Sequence, residues 1–275
     1  MRAARRTSLE VVAILVAAVV FIVPFIFMFV TASKNESESA DLAFSLPTQW
    51  TVLDNIKEVF EARDGILFTA FRNSAILTVV SVTILVVVCA MVGYVIQRRP
   101  GRVANVANVL VLSGLIIPPA VVPTIWVLQQ LHIFKTLPGL ILVEVAFNMA
   151  FCVLLFRAFV AAIPRELDEA AMIDGCTGLS LFFRVIFPLL RPVTITVILT
   201  SSVFIFNDFV NPLYFLPGDE NATVQLTLYN FLSQFNTQYN LLFMNIVLVT
   251  IPPLILFIFF NRKIVAGMTS GAVKG

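Results

Sequence analysis

The stretch AILTVVSVTILVVVCAMVGYVI, residues 75–96, runs for 22 residues without a charged side chain. As an α-helix it is long enough to cross about 30 Å of hydrocarbon, a distance that takes roughly 20 apolar residues. Similar stretches recur along the chain, in which 59% of the residues are apolar and only 12% are charged. The ten-residue alternation typical of an outer-membrane barrel is not seen. The sequence therefore predicts an all-α fold, a polytopic bundle of transmembrane helices.

Six stretches have the length and hydropathy of membrane spans. We predict them at about 9–31, 70–96, 104–128, 138–160, 193–216 and 241–261, in one transmembrane domain over residues 1–275. The first is expected to stay as an anchor, because its apolar run continues to Val30 and no convincing cleavage site follows. After it, TVLDNIKEVFEA (51–62) predicts a short surface helix with Thr51 as its cap and Asp54 in the capping-box position. That helix either lies on the membrane interface or docks an external partner.

The distribution of basic residues sets the predicted orientation. With the N-terminus in the cytoplasm, thirteen Lys and Arg residues fall in inner segments and five in outer segments. This asymmetry is the one that the positive-inside rule describes, and the reverse orientation would invert it. Both termini are therefore predicted to be cytoplasmic.

The longest inner loop, residues 161–192, begins with a predicted short helix. Pro164 suits the first position of that helix. Glu166, Asp168 and Glu169 follow in its first turn, where acidic side chains complement the helix dipole. We expect this helix to be small, acidic and exposed.

A turn and a second short helix complete the loop. Gly175 is expected to end the first helix in a left-handed conformation. Thr177 is placed to cap a second helix, LSLFFRVIF (179–187), which ends before Pro188. Its apolar side chains are available to pack on the membrane helices: Leu181, Phe182, Val185 and Ile186.

This loop resembles a known family. The order EAA (169–171), DG (174–175), an apolar helix and FPLLRP (187–192) resembles the coupling loop of the membrane subunits of ABC importers. Three further segments are similar to the maltose-type second permease subunit of the carbohydrate-uptake class: LHIFKTLPGLIL (131–142), FNDFVNPLYFL (206–216) and GMTSGAVKG (267–275). The resemblance extends over essentially the whole chain.

The resemblance implies how such a subunit works. The helix at the start of the loop would seat in a surface cleft of a cytoplasmic ATPase, and ATP-driven closure would swing the cavity between inward-facing and outward-facing states. The residues implied in this coupling are Glu169, Ala170, Ala171, Asp174 and Gly175. The implied partners are a second permease subunit in a heterodimer, two copies of the ATPase, an extracytoplasmic solute-binding protein and membrane lipid. Nucleic acid is not among them, and the implied location is a bacterial or archaeal inner membrane.

Signatures of enzyme chemistry are missing from the sequence. No Gly-rich loop ends in Gly-Lys-Ser/Thr, so we expect no ATPase site in this subunit. The single histidine, His132, has no metal-ligand spacing around it, so no metal and no cofactor are expected. An intramembrane protease is the main enzyme alternative, but no paired aspartates, Ser-His or His-Glu-x-x-His arrangement supports it.

Two acidic residues fall within predicted spans. Asp208, with Asn207 and Asn211 nearby, is the best candidate for the translocation pathway, because intramembrane ionisable groups usually face a bundle interior or a wet cavity. A hydrogen-bonded cluster that packs helices is an equal alternative. Glu144 is expected instead to pair with a polar residue of an adjacent subunit. Prolines in spans three and six mark kinks or unwinding that line a cavity or shape the packing: Pro118, Pro119, Pro123, Pro252 and Pro253.

Together these features predict a permease subunit of a binding-protein-dependent ABC importer. It would form half of the pathway for a sugar or sugar-like solute. Another small polar solute, such as a glycerol phosphate ester, is an alternative substrate. A non-transporting polytopic scaffold is the alternative of a different class, although it has no reason to place a small acidic helix before an apolar one.

Overall fold

The computed structural model describes residues 2–232 and 237–272, with side chains for 10–232 and 237–260. Over these ranges the structure is helical and contains no strand. The α-helices are α1 Arg2–Ala32, α2 Glu36–Ala40, α3 Val52–Arg98, α4 Arg102–Ile116, α5 Val121–Gln130, α6 Leu137–Ala162, α7 Glu166–Ile173, α8 Gly178–Leu181, α9 Phe187–Leu189, α10 Arg191–Phe206, α11 Val210–Phe215 and α12 Tyr239–Ala272. A π-helix, Phe182–Ile186, joins α8 to α9, and two short 3-10 helices, Asp219–Asn221 and Leu226–Phe231, follow α11.

Four helices in the described part are long and apolar enough to cross a membrane, or five if one bent pair counts as a single span. The four are Glu10–Ala32, Val52–Arg98, Leu137–Ala162 and Tyr239–Phe260, which match the predicted spans 9–31, 70–96, 138–160 and 241–261. The bent pair consists of Gly178–Leu189 and Arg191–Phe206, and the bend between these two helical segments is 78°. Pro252 and Pro253 lie inside α12 without ending it.

The third predicted span, 104–128, is two helices rather than one. The chain leaves α4 at Ile117, which is extended, and re-enters a helix at Val121. Pro118 and Pro119 lie in this break. A proline lacks the N–H that an α-helix needs and also disfavours the helical conformation in the residue before it. Consecutive prolines therefore split the span, and α4 alone has only 15 residues.

The fifth predicted span, 193–216, is also interrupted. It is helical in α10 and again in α11, but Asn207–Phe209 separates the two. No proline or glycine occupies this break. The side chain of Asp208 replaces the missing helical bonds, because its Oδ1 accepts from the backbone N–H of Val210 at 2.9 Å.

A third irregularity lies within α3. Residues Ala62 to Gly65 leave helical geometry, and Arg63, Asp64 and Gly65 all have positive φ. The predicted short helix after Thr51 is the part of α3 before this kink. Thr51 precedes the helix as predicted, but its hydroxyl donates to the carbonyl oxygen of Ser33 at 3.2 Å.

The chain forms two compact units. The first takes the residues up to Phe68 together with Val224–Ile251. Within it, Asn55 Nδ2 donates at 2.8 Å to the carbonyl oxygens of Ala32 and Lys34, just where α1 ends. Asn240 Nδ2 donates at 3.1 Å to Asn55 Oδ1, so Asn55 connects the beginnings of α3 and α12 with the end of α1.

The second unit takes Thr69–Thr223 and the residues from Pro252 onward. Its core is an apolar cluster in which Phe156 of α6, Ile186 of the π-helix and Val197 of α10 are fully buried. Helices α3 and α6 approach closely at Gly93, where a Cβ would lie 3.0 Å from the backbone nitrogen of Arg157. Small residues allow this kind of backbone contact between membrane helices. The last turn of α3 is thereby held beside the end of α6.

Candidate functional site

The loop between α6 and α10 contains the two short helices that the sequence predicts. The first, α7, begins at Glu166, two residues later than predicted, with Pro164 ahead of its cap residue Arg165. Glu166, Asp168 and Glu169 occupy its first turn.

Most of the coupling residues predicted from the sequence are exposed. Glu169, Ala170, Asp174 and Gly175 are exposed, whereas Ala171 is buried against the rest of the chain. Two apolar side chains beside them were not predicted to be exposed: Ile173 and Leu179, which are 86% and 68% exposed. The surface of the loop therefore combines acidic and apolar groups around very small side chains.

The turn after α7 has the geometry of a Schellman motif. Gly175 has a φ of +82°, the left-handed conformation that the sequence predicts. Its N–H donates to the Met172 carbonyl at 3.1 Å, and the N–H of Cys176 donates to the Ala171 carbonyl at 2.9 Å. These two bonds satisfy carbonyls at the end of the helix, and glycine is the residue that best tolerates the required backbone.

The second half of the loop packs inward. Thr177 precedes α8 as predicted, but its side chain makes no capping hydrogen bond. Leu181, Phe182 and Ile186 are buried, as the apolar pattern predicts. Phe182 also stacks at an angle on Phe187, with ring centroids 5.8 Å apart.

One acidic residue of α7 points away from the exposed face. Asp168 is only 7% exposed. Tyr94 donates its hydroxyl to Asp168 Oδ1 at 2.6 Å, and Arg98 Nη2 lies 3.0 Å from Asp168 Oδ2. Arg99, Glu169 and other side chains complete a small cavity of about 220 Å³ at this position. This cluster was not predicted from the sequence, although the spacing of Tyr94 and Arg98 places both on one face of the last turn of α3.

The polar residues of the predicted fifth span lie at the break between α10 and α11. Asn207 is exposed, and its amide donates to the Val203 carbonyl at 2.8 Å. Asp208 and Asn211 are half-buried. Asn211 Nδ2 donates at 3.1 Å to Glu144 Oε1, and the carboxyl group of Asp208 lies near enough to that of Glu144 for the two to interact electrostatically. Glu144 thus contacts polar groups of its own chain, and this contact was not predicted from the sequence.

A polar stripe extends from Asn207 along α10. Thr196, Thr200 and Asn207 are separated by four and seven residues, a spacing that places them on one face of the helix. Thr200 and Asn207 are exposed and Thr196 is partly exposed. Beside the stripe is a cavity of about 280 Å³ lined by the polar side chains of Asn148, Thr200 and Ser201 and by three phenylalanines. Polar groups on this face favour contact with water or protein over contact with lipid tails.

Several apolar helices of membrane-spanning length, a helix broken at a polar cluster and a loop of two short helices are features of a multi-pass membrane protein. The chain belongs to the family of binding-protein-dependent transport system inner membrane components, which matches residues 87–270.

Curated relatives carry the names of sugar transport components. The chain is 30% identical to the probable starch degradation products transport system permease protein AmyC of Thermoanaerobacterium thermosulfurigenes, over 94% of each chain. It is 30% identical to the melibiose/raffinose/stachyose import permease protein MelC of Bacillus subtilis, over 100% of each chain. Among solved structures, a chain of a bacterial ABC transporter involved in alginate import superposes with a TM-score of 0.83 at 19% identity, over 95% of this chain and 98% of that one. This last likeness supports the fold.

Proposed function

We propose that this chain is the permease subunit of a binding-protein-dependent ABC importer and forms half of the membrane pathway for a sugar or sugar-like solute. Membership of the transport family and the sugar-related names of the relatives support this proposal. The observation that carries the mechanism is the loop after α6, in which α7 is held at Asp168 and presents its other face outward.

In this proposal α7 is the helix that a separate ATPase subunit binds. Glu169, Ala170, Asp174 and Gly175 form the docking region with the exposed Ile173, and the buried Ala171 packs the helix against the rest of the chain. An exposed isoleucine gains free energy when a partner covers it, and the small Ala and Gly residues permit close approach. Movement of the ATPase would then displace α7 and, with it, the packed second half of the loop.

The same proposal assigns a topology of six crossings with both termini in the cytoplasm. The α4–α5 pair would form the third crossing, and α10 with α11 the fifth. Breaks in membrane helices are tolerated where the backbone is buried in protein or lines a cavity. The pathway would pass the exposed polar face of α10 at Asn207, with Asp208 and Asn211 beside it, and hydroxyl and amide groups there suit a solute rich in hydroxyls.

The proposed assembly contains a second permease subunit, two ATPase subunits and an extracytoplasmic solute-binding protein in a bacterial inner membrane. The ATPase subunits would supply the hydrolytic chemistry. The following experiment distinguishes this proposal from its two alternatives. A scaffold protein would not co-purify with an ATPase, and a transporter of another polar solute would not take up a sugar.

The test is purification of the tagged chain from membranes of its own host, identification of the co-purifying chains, and reconstitution of the complex into liposomes. We expect an ATPase to co-purify and the vesicles to take up an oligosaccharide from a panel that includes raffinose, maltotriose and arabino-oligosaccharides. Ile173→Glu should separate the ATPase from the chain. A complex without an ATPase would contradict the importer, whereas uptake of a glycerol phosphate ester but of no sugar would contradict only the substrate class.

A further inference from the structure

We propose that Tyr94 and Arg98, in the last turn of α3, are positioning residues that fix α7 to α3, so that the two helices move as one body during transport. This inference rests on the proposed function, because it concerns how movement of α7 reaches the membrane helices. It identifies α3, together with the chain that follows α7, as a route for that movement.

Asp168 is the point of attachment. Its Oδ1 accepts a hydrogen bond from the Tyr94 hydroxyl at 2.6 Å, and its Oδ2 lies 3.0 Å from Arg98 Nη2 in an ion pair. The side chains of Arg98 and Asp168 are 9% and 10% exposed. A charge pair with so little access to water is screened weakly, and removing one partner leaves the other charge buried without compensation. The contact therefore resists separation more strongly than a surface ion pair does.

Arg98 also holds the chain just ahead of α7. Its Nη2 donates at 2.8 Å to the carbonyl oxygen of Ile163, the residue that follows the end of α6. The planar guanidinium presents several donors in a fixed arrangement, which suits one side chain that contacts two segments. Arg98 thereby connects α3, the end of α6 and α7.

Tyr94 makes a second connection, to the apolar half of the loop. Its ring centroid lies 5.7 Å from that of Phe182, which is buried in the π-helix. At the neighbouring Gly93, α3 approaches the backbone of α6 too closely to admit a larger residue without a shift. The last turn of α3 is therefore packed against both α6 and the loop.

The two ends of α7 differ in their contacts. Asp168, near the start, is buried and paired, whereas Ile173, at the end, is 86% exposed and available to another protein. A force applied at the exposed end reaches a helix whose other end is joined to α3. If α7 instead pivoted alone, this buried pair would have to break in every cycle.

The test compares transport per ATP hydrolysed in the reconstituted complex. Arg98→Gln and Asp168→Asn should each lower the number of solute molecules moved per ATP by roughly tenfold or more, since a buried ion pair is lost. The ATPase should still co-purify with both variants. Arg102→Gln is the control, since Arg102 is an exposed arginine at the start of α4 and outside this cavity, and it should keep the parental ratio.

A cross-linking experiment separates positioning from simple stabilisation. In a background without Cys89, Cys152 and Cys176, Tyr94→Cys and Asp168→Cys are combined and joined by a short bifunctional thiol reagent. We expect the linked protein to recover transport per ATP that the unlinked double variant has lost. Block of transport by the link would show that α7 must move relative to α3 and would overturn the inference, as would parental ratios in Arg98→Gln and Asp168→Asn. Absence of any co-purifying ATPase would instead contradict the proposed function.

Discussion

The amide of Asn211 donates a hydrogen bond of 3.1 Å to the fully buried carboxyl group of Glu144, and this bond joins α11 to α6. Glu144 also interacts electrostatically with the Asp208 carboxyl group in the break before α11. A second amide, that of Asn148, is 3.4 Å from Glu144 Oε2 and 2.8 Å from its backbone carbonyl oxygen. In the part of the chain whose side chains are described, these contacts place Glu144 at the centre of a polar cluster that connects two helical segments.

Removal of the Glu144 carboxyl group should weaken this connection. Glu144→Leu leaves the Asn211 amide without its acceptor, and we expect the protein to lose about 1–2 kcal/mol of stability, the range for a buried hydrogen bond in a membrane bundle. Thermal unfolding of the purified variants in detergent measures the loss. Glu144→Gln keeps an oxygen that can accept from Asn211 and serves as the control. Equal melting temperatures for the Leu and Gln variants would contradict this role of the hydrogen bond.

Asn207 and Asp208 should respond differently to substitution, although they are adjacent. Asp208 Oδ1 accepts from two backbone N–H groups at the start of α11, at 2.9 and 3.3 Å, so Asp208→Leu should lower the melting temperature as well as uptake. Asn207 is exposed on the polar face of α10. Asn207→Leu should therefore reduce solute uptake at an unchanged amount of complex. A parental uptake rate in Asn207→Leu would remove this face of α10 from the pathway.

The turn at Gly175 offers a test of the coupling loop. Valine at a φ of +82° is strained by about 1–2 kcal/mol, although in the described part of the chain no heavy atom beyond its two neighbours in sequence lies within 4 Å of the position of its Cβ. Gly175→Val should leave membrane insertion intact but reduce co-purification of the ATPase or the ATP hydrolysis that solute stimulates. Gly175→Asn is the control, because asparagine tolerates the left-handed conformation better than other side chains. If the Val variant matched the Asn variant in both measurements, the turn would have no part in coupling.

The exposed apolar side chain of Ile173 should contribute directly to ATPase binding. Burial of an isoleucine in an interface stabilises a complex by about 1.5–3 kcal/mol, and a charge at that place would add a desolvation cost. Ile173→Glu should therefore weaken the affinity for the ATPase by at least tenfold in a pull-down titration. Leu53→Glu is a matched control, since Leu53 is 80% exposed at the start of α3, outside the loop. Similar losses in the two variants would point to a general effect of surface charge.

Hydropathy was sufficient to predict several spans because each is a continuous apolar helix, as in α1 and α6. The break at Pro118 and Pro119 follows from local chemistry, and a kink or unwinding was predicted there, although the apolar residues on both sides were interpreted as one span. The break at Asn207–Phe209 could not be placed in this way, because it depends on the capping bonds of Asp208 and on the bond between Asn211 and Glu144, 67 positions earlier in the chain.

The candidate loop shows the same division between local and long-range information. The left-handed turn at Gly175 and the buried face of the second short helix follow from nearby residues and were predicted. The contact between Tyr94 and Asp168 joins residues 74 positions apart. One sequence contains no signal that pairs them, so Asp168 was interpreted only through its effect on the helix dipole. The exposure of Ile173 likewise depends on how the whole loop packs.

Thiol labelling in intact cells tests the proposed orientation. The excess of basic residues in one set of loops predicts that Ser37 lies outside the membrane and that Arg99 and Glu169 lie in the cytoplasm. All three side chains are exposed, so burial within the chain does not limit their reaction. In a cysteine-free background, Ser37→Cys should react with an impermeant maleimide, whereas Arg99→Cys and Glu169→Cys should react only after the cells are permeabilised. The permeabilised sample is the control for reactivity at each position. Labelling of Glu169→Cys in intact cells would place the loop outside, where a cytoplasmic ATPase could not bind it.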